Sequence, residues 1–447
     1  MKNSLFITGV MLCVLMGGAG CSHLPEWMGG RKDTTPALPG ERLSVLPRNS
    51  TIQADPSVQD APVRLPVPKA NDAWPQHTDY FAADTSNLAL AGALDNVQSA
   101  GVGEGADFEH TLIPRPVVAQ DMVFAMDAEG NISAHSAQDI SVIRWQSPGV
   151  SEEDEPQIIG GGLAFSAGRL YAVSGRGMVV AIDGETGQQL WRKATNIPFR
   201  SAPRVEGDKL YAVSIDSQVY AFNTTSGDVV WSQRGIRETA GMLRSVTPAV
   251  SRDLVIVPFP SGEIYALSAG DGRELWMDSL ATPSRRMAAA IFAGIGGDPV
   301  IDGDVVFAVS SSGVFSVFNL VNGQKLWEYP ASSLNTPWIS GDYAYLLTSD
   351  NILVSFMKYN GTVRWATPLP SFEDETDKRD AILWNGPVMA DGRLLLAGSN
   401  GQLVQVNAAD GTLHRQVEMD DENTSAPVIA GGTLYLIDQQ ANLRALK

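Results

Sequence analysis

The sequence predicts an all-β chain: an eight-bladed β-propeller with four-stranded antiparallel blades, closed by an N-terminal strand. Three observations lead there. The first is a repeated phrase, clearest as Asp183-Gly184-Glu185-Thr186-Gly187-Gln188-Gln189-Leu190-Trp191. Later copies run from Asn223 to Trp231, Ser268 to Trp276, Asn319 to Trp327, Lys358 to Trp365 and Asn407 to Arg415, and a worn first copy from Asp139 to Trp145. The second is the spacing of these tryptophans, at 145, 191, 231, 276, 327 and 365, a period near forty-five residues. The third is that the chain stops at Lys447 before its last blade is complete, while a matching strand stands near the beginning.

Each copy reads as the same local structure. Alternating stretches such as Leu170 to Val173 and Met178 to Ile182 suit half-buried strands. Asp or Asn then opens a turn, which a Gly four residues before the Trp closes by taking a positive φ. That Gly is present in five copies, as Gly187, Gly227, Gly272, Gly323 and Gly361. Units of this size cannot bury their own apolar face and must stack on copies of themselves, and four strands per unit at this period make a propeller blade. Proline recurs before the innermost strand of most units, at Pro116, Pro203, Pro248, Pro299, Pro337, Pro387 and Pro427. Gly160-Gly161-Gly162 takes its place once. No Lys-Ser/Thr follows that triplet, so it lacks the pattern of a phosphate loop.

Thr433 to Leu436 and Leu443 to Leu446 match the second and third strands of a blade, and an end there would expose a row of unpaired backbone groups. Asp95 to Gly101 resembles Val229 to Gly235, with Gln98 in the Trp place, and supplies the missing strand.

Upstream, the chain changes character. Residues 1–20 hold one charge, Lys2, an apolar run from Leu5 to Met16, and small residues before Cys21, the pattern of an export signal too short to span a membrane as a mature helix. The small residues and Cys21 resemble a bacterial lipobox, which marks Cys21 for lipidation; Gly18 stands where Leu is usual. Ser22 after the Cys resembles lipoproteins sent on to the outer membrane. From 21 to 80, prolines including Pro25, Pro36, Pro47, Pro56, Pro66 and Pro75 break every regular element, so an extended tether is expected, with the propeller over 81–447. Of the two cysteines, Cys13 leaves with the signal, so the mature chain has no pair for a disulfide or a zinc site.

The repeat is similar to that of the pyrroloquinoline-quinone-type propellers, and the chain as a whole resembles the BamB family, lipoproteins of the outer-membrane β-barrel assembly machinery. The lipobox, the Leu38 to Leu46 phrase, the closing strand and the eight blades bear that likeness. It implies a non-catalytic scaffold, lipid-anchored on the periplasmic side of the outer membrane. It would bind the periplasmic POTRA domains of the barrel-forming assembly protein and meet other assembly lipoproteins. Gly241 to Ser245 resembles the family's interaction loop, which makes Met242, Leu243 and Arg244 the expected partner contacts. The next loop, Gly294 to Pro299, lacks the acidic residues many relatives place there, leaving Asp298 as the shifted contact.

The competing reading is a quinoprotein-type enzyme. Such an enzyme would be larger, would often hold adjacent cysteines, and would bind Ca²⁺ with a Glu/Asn/Asp set in the central funnel. Here there is no cysteine pair, and the five histidines show no ligand spacing. No catalytic residue, metal or cofactor is therefore expected. Ser310 to Gly313 is expected to be a turn between strands, and Glu152 to Glu155, Glu373 to Glu375 and Asp420 to Glu422 to be solvated loops between blades. A net charge of −18 disfavours nucleic acid and anionic lipid surfaces, and favours a basic protein partner.

Overall fold

The computed structural model describes residues 52–59, 61–77, 86–106, 114–151, 160–195, 197–199, 201–236, 246–251, 253–280, 294–419 and 425–447. Eight four-stranded antiparallel sheets follow one another along the chain as the blades of a propeller. Blade 1 holds β2 (Val117–Ala119), β3 (Met122–Met126), β4 (Ile132–Ser136) and β5 (Ile143–Ser147). The pattern repeats in blades 2 to 6, whose inner and outer strands are Gly161–Ser166 and Gln189–Ala194, Arg204–Glu206 and Val229–Arg234, Ala249–Ser251 and Glu274–Ser279, Val300–Asp302 and Lys325–Tyr329, and Trp338–Ser340 and Val363–Pro368. Blade 7, from Trp384–Ala390 to Leu413–Glu418, follows a hairpin of Phe372–Asp374 with Arg379–Ala381. Blade 8 is β32 (Val428–Ala430), β33 (Thr433–Ile437) and β34 (Asn442–Leu446), completed by β1 (Val97–Gly101). Val97 pairs with Leu446 and Gly101 with Asn442, so the ring closes on the strand that the sequence places there. Gly161 opens the inner strand of blade 2 at a φ of 118°, where a Cβ would stand 2.2 Å from the Val173 carbonyl oxygen.

The repeated phrase has two jobs. Within a blade it makes the turn: the Asp183 carboxylate accepts from Thr186 N at 2.9 Å, and Gly187 takes a φ of 74°. Between blades it makes the seam. Trp145 Nε1 donates to Gly184 O in the next blade at 3.0 Å, Trp191 to Thr224 O at 3.0 Å, and Trp276 to Leu320 O at 2.9 Å. Trp231, Trp327 and Trp365 do the same toward Ala269, Lys358 and Ala408. The Gly of each turn lies under the indole of the preceding blade; a Cβ on Gly272 would come within 2.5 Å of Trp231. Glycine is needed there for close approach as well as for φ.

A β-bulge aims each indole across the seam. In blade 2, Ala181 pairs with Trp191 and Ile182 with Gln189, so Leu190 is skipped. The same slip precedes Trp231, Trp276 and Trp327. A bulge bends and twists its strand, which swings the neighbouring side chain off the sheet face. The skipped residues are left in solvent: Leu190, Val230, Leu275 and Leu326 are all exposed. Where Trp is missing, another donor or acceptor serves. Gln98 Oε1 accepts from Ile140 N at 3.4 Å between blades 8 and 1, and Arg415 donates to Ala93 O at 2.8 Å and pairs with Asp95 between blades 7 and 8.

Part of the proline-rich segment, expected as an extended tether, is packed on the propeller. Residues 21–51 and 60 lie outside the described residues, but 52–59 and 61–77 lie against the propeller. Asp55 N donates to Val363 O at the outer edge of blade 6, and Arg364 donates to Val58 O and Ala61 O at 2.6 and 2.5 Å. Farther on, Trp74 is buried at the hub, its ring centroid 6.4 Å from that of Trp338. Frequent proline rules out regular sheet pairing, and the segment instead meets the inner strands group by group, through carbonyls, side-chain amides and the Trp74 indole.

Candidate functional site

The site follows from the proline that opens each inner strand. The residue before a proline is held extended. Thr247, Asp298 and Thr336 occupy that position in blades 4, 5 and 6, and their polar groups meet at the hub. The Asp298 carboxylate accepts from Thr247 N at 2.7 Å, and Asp298 N donates to Thr336 Oγ1 at 3.1 Å. His77 Nδ1 of the N-terminal segment lies 3.5 Å from the other carboxylate oxygen. Burial alone would push the Asp298 carboxyl up. The hydrogen bond and charge of His77, the Arg115 guanidinium and the Thr247 amide outweigh burial and hold it below the ordinary carboxylate value.

Asp298, the expected shifted contact, is thus only 5% exposed and turned inward. Its approach is narrow. A Cβ on Gly296 would stand 1.7 Å from Ser333 O, and one on Gly297 would stand 2.3 Å from Asn335 O. Those glycines let the segment before Asp298 slide against blade 6. Met242, Leu243 and Arg244 lie outside the described residues, as does Cys21. The two ends of that interblade connection are described: Ile236 is exposed, with its amide donating to Glu263 Oε2 at 3.2 Å, and Thr247 is buried on Asp298. Asp298 therefore fixes one end of the segment that holds the three expected contacts. The repeated position before proline could have shown this role.

The other polar features have local partners. His135 is buried, its ring nitrogens 2.7 Å from Ile140 O and 3.0 Å from Ser133 Oγ; burial pushes its pKa down against the effect of the Ile140 bond. Ser310 to Gly313 forms the turn between β19 (Val305–Val309) and β20 (Phe315–Asn319), with Val314 N donating to Ser310 Oγ at 3.0 Å. Glu375 accepts from Ser371 N and Phe372 N, and Asp374 from Thr376 N and Asp377 N, so this acidic cluster shapes its own hairpin. The clusters at 152–155 and 420–422 lie outside the described residues. Among the described residues, no group of three or more His, Cys, Asp and Glu side chains is placed to hold a metal ion.

The family model described as outer membrane protein assembly factor BamB matches residues 128–367 and 373–447. The chain belongs to the BamB family. An outer membrane protein assembly factor BamB from Yersinia pestis is 24% identical over 345 residues, covering 76% of this chain and 84% of that protein. One from Burkholderia pseudomallei is 27% identical over 246 residues, covering 54% and 60%. An uncharacterised protein of Rickettsia conorii is 30% identical over 227 residues, covering 50% and 54%. The chain thus spans little more than half the length of several of the curated relatives it matches. Among solved structures, BamB from Moraxella catarrhalis superposes with a TM-score of 0.65 at 18% identity, over 78% of this chain and all of that one. A europium-containing methanol dehydrogenase gives 0.63 at 13% identity, over 82% and 89%. At such identities the superpositions speak for the BamB-like propeller fold alone.

Proposed function

We propose that this BamB-family chain is a non-catalytic scaffold of outer-membrane protein assembly. It is anchored through a lipid on Cys21 at the periplasmic side of the outer membrane and binds the periplasmic POTRA domains of the barrel-forming assembly protein. Other assembly lipoproteins are its neighbours. Met242, Leu243 and Arg244 make the contact, and Asp298 positions their connection from inside. The organisation is a signal over 1–20, a lipidated N-terminal segment from 21, and the propeller.

The observation that supports a scaffold over an enzyme is that the N-terminal segment lies at the hub. The centre of the ring is the one place shared by all eight blades, and there the chain's own Trp74 and Leu88 are buried. A quinoprotein-type site would need that funnel for a cofactor. Two grooves lined by acidic side chains, one by Glu373, Glu375 and Glu418 and another by Glu104 and Glu129, suit a basic protein surface. The test is affinity purification of the full chain from detergent-extracted membranes, followed by titration with purified POTRA domains. A saturable complex of micromolar affinity or tighter is expected. Failure to bind, together with a quinone absorbance band after reconstitution with quinone and Ca²⁺, would return the enzyme reading.

A further inference from the structure

The inner strand of each blade is the edge strand of its own sheet, and one short stretch of the N-terminal segment meets several of these edges in succession. Asn71 takes blade 8: its side-chain amide donates to Ile429 O at 2.6 Å and its carbonyl accepts from Gly431 N at 2.7 Å. Trp74 takes blade 1, exchanging both backbone hydrogen bonds with Val118 at 2.7 and 2.9 Å. The Pro75 carbonyl takes blade 2, accepting from Phe165 N at 2.7 Å. Gln76 takes blade 3 with both ends of its amide, accepting from Val205 N at 2.7 Å and donating to Val205 O at 3.0 Å. His77 reaches blade 5 at Asp298.

This stretch is not part of any blade. Its strand-like pairings are isolated bridges, and β1 closes the ring downstream of it. A second limb, Ser86 to Leu90, lies beside it through Lys69 N to Asn87 O at 2.9 Å and Ala89 N to Lys69 O at 2.7 Å, and lines the hub on the side of blades 6 and 7. Trp338 Nε1 donates to Ser86 O at 2.8 Å. The hub therefore has the parts of a peptide-binding site: inner strand edges that take backbone and side-chain partners from outside their blade, a buried aromatic contact at Trp338, and an acidic side chain nine-tenths buried at one end.

We propose that the hub is a binding site for an extended peptide, and that Asn71–His77 is its resident, separable ligand. The chemistry it selects is an aromatic residue against Trp338, a side-chain amide two residues later for an inner edge, and a basic or neutral ring for Asp298. An extended partner segment with that pattern competes with the chain's own.

The test uses the mature chain with a protease site inserted between His77 and Ser86, which leaves every blade strand on one piece. After cleavage, the N-terminal piece is expected to co-elute with the ring. A labelled peptide of residues 66–77, in hundredfold excess, is expected to replace it while the ring keeps a cooperative melt. The Trp74→Ala peptide should compete about thirtyfold less well, as for loss of a buried aromatic anchor. Immediate release of the N-terminal piece, unfolding of the ring when it leaves, or equal competition by the Trp74→Ala peptide would each overturn the proposal.

Discussion

The seams between blades and the hub solve the same problem in opposite ways. At the seams, one device is used again and again: an indole donates across to a carbonyl and covers a glycine of the next turn. At the hub, backbone edges of several blades are met by one non-repeating segment, each residue of which does something different. Repetition at the seam makes every joint equivalent, so the loss of one weakens its two neighbours. The hub segment touches many blades once each, so its loss is shared around the ring. The seams should therefore set whether the protein folds, and the hub how stable it is once folded.

The largest expected effect is on closure. Removing residues 22–101 takes away β1 along with the hub segment, and leaves the β34 edge open. No cooperative thermal transition is expected. Removing only 22–77 leaves β1 in place and should keep the transition, lowered by about 3–5 kcal/mol, the usual cost of a lost buried tryptophan. Calorimetry of both truncations decides: equal melting temperatures would erase the distinction between seam and hub.

A single seam comes next. Trp276→Ala removes an indole that is 8% exposed and leaves Leu320 O without its donor, for a loss of about 3–5 kcal/mol in urea unfolding. Trp276→Phe keeps most of the packing and loses the hydrogen bond, so it should cost about 1–3 kcal/mol. If the two variants were equally stable, the donated bond would contribute nothing to the seam.

Smaller again is Asp298, where hub and blades meet. Asp298→Asn should cost about 1.5–3 kcal/mol near neutral pH, as for a hydrogen bond made by a charged group. Its carboxyl is held below the ordinary value of 3.8, so the charge stabilises the fold fully above that pH, and the benefit fades as pH falls through the lower folded value. Unfolding curves of wild type and variant should therefore differ at pH 7 and converge below pH 3.8. A gap that persists unchanged in acid would assign the effect to shape rather than charge.

The sequence shows the seams because they repeat. Asp183, Gly187 and Trp191 announce a turn and a strand, and Gln98 and Arg415 could be placed in register with the tryptophans from spacing alone. Two features of the seam were not legible. A bulge that skips Leu190 has no residue signature, since an exposed aliphatic at that place reads as an ordinary strand position. Nor does Gly272 reveal that it lies under the indole of the blade before. The hub was less legible still. Proline at 66, 68 and 75 indicates only that regular structure is excluded, and nothing in Asn71 to His77 repeats. Asp298 read as a surface residue because the sequence alone does not say which side of an inner strand's first residue faces the ring.

The smallest effect on the fold is expected at Leu243 and Arg244, and it sharpens the contrast most. A side chain that belongs to neither seam nor hub should change stability by no more than about 0.5 kcal/mol when truncated. An Arg beside a large apolar group at a protein interface commonly costs about 2 kcal/mol or more, roughly thirtyfold in affinity. The double variant Leu243→Ala, Arg244→Ala should then melt as wild type does and lose POTRA binding. Asp298→Asn should bind more weakly than wild type while keeping both contact residues, because it loosens the buried end of their connection at Thr247. If the double variant unfolds, these residues are structural. If it folds and binds with unchanged affinity, the partner sits elsewhere on the propeller, and the acidic grooves become the next place to truncate.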